Sequence, residues 1–174
     1  MDKFRKQIVD SLYGIKKEVI PVQLVSIAKE LGYTVYRFRS NFEALDISGI
    51  VNYDEKKILL NELDFNMRQR FTLAHEIGHI VLKHLENGEI VDYRENLLNP
   101  DDEKEHDANR FAVELLMPQK QFKEKFEEIK NENNFNSDDY KVITVSRLAS
   151  YFITPYYATE VRVKEFRLLD YMRK

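Results

Sequence analysis

The chain contains no cysteine. Disulfides are excluded, and so is any metal site built on thiolates. Nor is there an apolar run approaching the ~18 residues of a membrane-spanning helix. The opening stretch, MDKFRKQIVDSLYG, lacks the apolar core of a secretory signal. A surplus of basic residues is missing too. The formal net charge is −3, with 27 Lys/Arg against 30 Asp/Glu, which argues against broad nucleic-acid binding. The balance is uneven, though. Residues 141–174 hold seven Lys/Arg and three Asp/Glu, a net +4 that leaves −7 for the rest. No internal repeat is present. The expectation is a soluble, cytoplasmic protein that makes no use of a membrane.

The 174 residues are 43% hydrophobic and 12% aromatic, enough to bury a core. That length suits a single domain, 1–174. Apolar residues at helical spacing predict helices at 3–15, 21–32, 65–85, 101–117, 119–130, 144–152 and 155–171. TVYRF (34–38) reads as a strand. ISGIVNY and KILLN flank the turn Asp54-Glu55-Lys56 and read as a hairpin. Residues 86–101 and 131–139 are polar and read as loops. Helices dominate over one small early sheet, so the fold class is α+β.

Chemistry is concentrated in FTLAHEIGHIVLKH (71–84), which holds three of the four histidines. His75 and His79 are four apart, so on a helix both rings rise from one face and two nitrogens can share one metal ion. Glu76 lies about 60° from His79 around the helix. It can approach the open side of an ion without ligating it. This is the H-E-x-x-H arrangement, in which the histidines bind zinc and the glutamate takes a proton from the attacking water. Phe71, Ala74, Ile77, Val81 and Leu85 mark a core helix, not a solvated one. Histidines buried there with nothing to bind would carry a desolvation cost. Gly78 lets another backbone or a substrate come close. His84 lies about 140° past His79 around the helix, cannot join the same metal without breaking the helix, and is expected to take a structural or surface role.

Such a site needs a third protein ligand, with the fourth place left to water. In DDEKEHDANRFAVELLMP (101–118), the stripe Ala108, Phe111, Ala112, Leu115 and Leu116 extends backward onto Glu105. Glu105 is therefore the leading candidate, with His106 as the competitor. Asn109, four residues on, could hold the outer nitrogen of a zinc-binding histidine.

RQRFTLAHEIGHIVLKH followed by EHDANRFAVELLMP resembles the ImmA/IrrE family of zinc metallopeptidases, whose pattern is R-x-x-x-x-H-E-x-G-H, then E-x-x-A-[ND]-x-F-A-x-x-L-L-M-P. The matching residues run from Arg70 to His79 and from Glu105 to Pro118. ISGIV with Gly49, then ILLN, fits the strands beside the active-site helix. The ending VSRLASYFITPYYATEVRV is similar to the family's LA-x-x-F-x-V-S but has Ile153-Thr154-Pro155 where V-S is usual. The likeness spans about 21–163. It implies a zincin-like fold, one Zn²⁺ on His75, His79 and Glu105, and Glu76 as catalytic base. Many relatives cleave a helix-turn-helix repressor of a phage or mobile element, which makes such a protein the expected substrate. A further donor to the oxyanion is expected. Tyr53, Tyr93 and the C-terminal tyrosines all qualify, and the sequence does not choose.

The alternative is a non-catalytic regulatory module that binds a protein partner or DNA. The C-terminal helix pair, 142–174, has helix-turn-helix character and a basic balance. Tyr156, Tyr157, Val161 and Phe166 suit packing better than base readout. The expectation is that this pair packs on the peptidase core and that direct DNA binding is disfavoured.

Overall fold

The computed structural model describes residues 19–39, 47–84, 87–93, 102–132 and 140–168, with the backbone alone at 91–93. The helix expected at 3–15 lies outside these residues. So do 94–101, 133–139 and the end of the last helix.

After Pro21, helix α1 covers Leu24–Glu30 and buries Leu24, Ile27 and Ala28. Gly32, at φ 88°, ends it. Its N–H bonds Lys29 O, and the Tyr33 N–H bonds Ala28 O, the left-handed stop that glycine makes without strain. Strand β1, Thr34–Phe38, follows as expected. The hairpin is present too: β2 (Ile47–Asn52) pairs antiparallel with β3 (Lys57–Asn61), and Glu55 N–H closes the turn on Asn52 Oδ1 at 2.7 Å. β1 lies parallel to β3.

The fourth strand departs from expectation. Residues 89–93, read as loop, form β4 (Glu89–Tyr93), antiparallel to β2, in a sheet ordered β1-β3-β2-β4. EIVDY has no strong strand pattern of its own. Pairing begins where Tyr53 N–H bonds Gly88 O, and Gly88 N–H bonds Asp54 Oδ2.

Helix α2, Asn66–Val81, crosses this sheet. Nine consecutive residues, Phe71 to His79, are buried, so the helix has covered neighbours on every side. On one side Gly49 of β2 meets it. On the other, an added Cβ at Gly78 would lie 3.2 Å from the Ala108 backbone of helix α3, Glu103–Leu116. Gly78 thus permits the close α2–α3 approach. Asp102 caps α3, accepting from Lys104 N–H at 2.7 Å, and Pro118 follows its end.

Helices α4 (Gln119–Glu132), α5 (Tyr140–Phe152) and α6 (Tyr156–Glu165) complete the described chain. α6 is tied to the end of α3 by Arg162, which is fully buried. Its guanidinium forks onto Glu114 at 2.9 and 2.7 Å, and it donates to Met117 O and Glu165. Tyr157 packs its ring on Phe71, and Phe166 lies on the Arg162 guanidinium. Tyr156 and Val161, expected to pack, are exposed instead. The α6 face that turns inward carries Ala158, Thr159, Arg162 and Val163, a polar-containing stripe that hydrophobicity alone does not reveal. One cluster of buried apolar side chains runs from Val22 to Leu168. Fold class is α+β, mostly helical, with the small sheet against α2. Among the described residues no helix is long and apolar enough to cross a membrane.

Candidate metal centre

The middle of α2 holds three ionisable side chains, His75, Glu76 and His79, each at most 1% exposed. Burial of such groups is costly unless something pairs with them. The i, i+4 spacing stacks the two imidazoles, and their Nε2 atoms face each other at 2.8 Å. Glu105 enters from the first turn of α3. Its Oε2 lies 3.1 Å from His75 Nε2, and its Oε1 lies 3.3 Å from His79 Nε2. A tetrahedral ion with bonds of about 2.0–2.1 Å spaces its donors ~3.3 Å apart. The set of two imidazole nitrogens and one carboxylate fits a borderline ion such as zinc, and these three residues could hold one. His106, the competing candidate, is exposed.

The electrostatics suit deprotonated ligands. Burial above all, with His75 nearby, holds the His79 imidazole below its usual pKa and so neutral. Burial would raise the Glu105 carboxyl, but hydrogen bonds with His75 and His79 outweigh it and hold it well below the usual carboxylate range. Metal ligation needs these charge states.

Both histidines are held by their outer nitrogens. His75 Nδ1 is 2.9 Å from Asn109 Oδ1, the contact that the i, i+4 spacing from Glu105 suggests. His79 Nδ1 is 2.9 Å from His84 Nδ1. This corrects the reading of His84. It does not face away, because α2 stops at Val81 and the chain turns back. Burial, then His79 and Lys104, lower its pKa to about 4.

Glu76 is fully buried against β2. A Cβ added at Gly49 would fall 2.6 Å from Glu76 Oε1 and 2.5 Å from Thr72 Cγ2. Glycine is therefore required for the carboxylate to sit where it does. A lone glycine inside a strand pattern signals such an approach, but not what approaches. If the site is that of a metallopeptidase, Gly49→Ala is expected to displace Glu76 and cut turnover about tenfold or more, while metal content stays at the wild-type level. Parallel rate and metal assays check this. Tyr53, just past the end of β2, is buried, and its hydroxyl has no hydrogen-bond partner among the described residues. Burial, then Tyr33 and Glu76, push its pKa up, so it remains a proton donor. Tyr93 has no described side chain. Of the C-terminal tyrosines, Tyr151 and Tyr156 are exposed.

A family model described as Peptidase_M78, IrrE N-terminal-like domain, matches residues 28–164. The chain belongs to the Peptidase_M78 family. Membership supports a function of the metallopeptidase type, and the match takes in the whole His75, His79 and Glu105 cluster. Among solved structures, a Mycobacterium tuberculosis transcriptional regulator superposes with a TM-score of 0.54 at 13% identity. That match covers 90% of this Peptidase_M78 chain and 43% of the regulator, so the chain spans less than half of that neighbour's length. At this identity the likeness concerns the fold alone. No curated protein matches significantly.

Proposed function

We propose that the chain is a zinc-dependent endopeptidase that hydrolyses a peptide bond in a protein substrate. The observation that carries this reading is the meeting of two Nε2 atoms on a buried helix that also bears Glu76 with the Glu105 carboxylate of α3, at 2.8–3.3 Å. His75, His79 and Glu105 would hold the ion. Bound zinc supplies a Lewis acid that makes water acidic and polarises a carbonyl. Glu76, whose carboxylate projects from α2 against Gly49, takes the proton of the attacking water and returns it to the leaving nitrogen. Tyr53, buried and with its hydroxyl held protonated, is one candidate donor to the oxyanion. Asn109 accepts from His75 Nδ1–H and so keeps Nε2 free for the ion.

The substrate we propose is a helix-turn-helix repressor. Support comes from the resemblance of 70–79 and 105–118 to ImmA/IrrE peptidases, and the fold likeness to a transcriptional regulator is compatible with it. The test is production of the protein together with such a repressor, encoded beside its own gene. Cleavage fragments should form with the wild type and not with Glu76→Gln. An intact repressor under both conditions would contradict the proposed substrate.

We read α5 and α6 as part of the peptidase unit, not as a DNA reader. Within the basic segment Lys141 and Lys164 pair with Glu160, Arg147 with Glu132 and Arg162 with Glu114. Among the described residues, four of the five Lys/Arg of this segment are thus paired with carboxylates. Binding to duplex DNA should be weak, with a shallow salt dependence in a filter assay. A steep slope would favour the DNA-binding alternative.

A further inference from the structure

We propose that His84 is a positioning residue for the metal centre, holding His79 in the tautomer and orientation that ligation needs. This rests on the reading of His75, His79 and Glu105 as ligands. The argument starts at the end of α2. The His84 N–H bonds His79 O at 3.1 Å and the Lys83 N–H bonds Ile80 O at 3.3 Å, the same bond pair that closes α1. In α1 the left-handed position is Gly32. In α2 it is Lys83, at φ 55°, a conformation that costs a side-chain-bearing residue about 1 kcal/mol. This stop usually brings together two apolar side chains, one from the last turn and one just past the left-handed residue. Here those two are His79 and His84, with ring centroids 4.9 Å apart. The Lys104 ammonium bonds His84 O at 3.0 Å, tying the turn to the first turn of α3, next to Glu105.

Proton accounting assigns the role. A His79 that gives its Nε2 lone pair to an ion carries its hydrogen on Nδ1. The atom 2.9 Å from that Nδ1 is His84 Nδ1. His79 donates, and His84 accepts with its own hydrogen on Nε2. Asn109 does the same for His75 with an amide oxygen. Each imidazole thus has one neutral acceptor on its outer nitrogen, His84 standing where a carboxylate or backbone carbonyl is more usual.

The test compares His84→Leu, which keeps bulk and removes the acceptor, with His84→Asn, whose Oδ1 can fall near the lost Nδ1. Zinc affinity of the full chain is measured by chelator competition, and unfolding of the metal-free forms by thermal melt. His84→Leu should bind zinc about 10- to 100-fold more weakly. His84→Asn should recover most of that loss, with metal-free melting temperatures close to the wild type in both. Wild-type zinc affinity in His84→Leu would overturn the assignment. So would equal losses in both variants, or a loss explained by lower metal-free stability. A wild-type chain that takes up no zinc would instead overturn the metal centre, and the role of His84 with it.

Discussion

Glu76→Gln is expected to leave a folded protein that binds zinc and cuts its substrate about a thousandfold more slowly, within the range general-base loss produces. Glutamine has nearly the shape of glutamate, so the space beside Gly49 and Thr72 stays filled. The three donors that would hold the ion are on other side chains. A buried carboxyl is replaced by a neutral amide of the same shape, so stability should hold or rise. What disappears is a carboxylate able to accept a proton beside the ion. Cleavage rate and zinc content measured on one preparation separate these effects. A wild-type rate in Glu76→Gln would remove it from the base role.

Arg162→Ala is expected to give the largest loss of stability, about 3–5 kcal/mol. For a chain of this size that lowers the melting midpoint by about 10 °C or more. The guanidinium holds both Glu114 oxygens and the Met117 carbonyl in a fully buried setting. Removing it takes the two-pronged guanidinium contact from the buried Glu114 carboxylate at the end of α3 and opens a cavity against Phe166. Arg162→Lys should rescue little, because an ammonium cannot make the two-pronged contact. Arg162→Met combined with Glu114→Leu should recover much of the loss, since the uncompensated charge goes with its partner. Thermal melts of the three variants check the order. The effect reaches the candidate site, because the same α3 carries Glu105 in its first turn.

Much of this site was legible in the sequence because helical spacing is a geometric rule. His75 and His79 needed only the i, i+4 relation. Glu105 followed from extending the α3 stripe by one turn, and Asn109 from four residues more. His84 was misread for a physical reason. Leu82 and Lys83 carry no stop signal, and the left-handed turn at Lys83 is closed by backbone bonds and contacted from α3 by Lys104, neither of which the local sequence announces. β4 was missed because its pairing comes from the open edge of β2, not from its own residues. Arg162 reads in sequence as one more charge in a basic tail. Only its partner 48 positions earlier makes it a core residue. Gly49 was read only as part of a strand beside the active-site helix, and that Glu76 presses against it is visible in the structure alone.

The central claim is tested most directly by X-ray absorption on the purified, zinc-loaded protein. One ion per chain is expected, with nitrogen and oxygen neighbours at about 2.0–2.1 Å. The multiple-scattering signature should be that of two imidazoles, dropping to one in His75→Ala. Failure to take up zinc, or an unchanged spectrum in both His75→Ala and Glu105→Ala, would contradict the account.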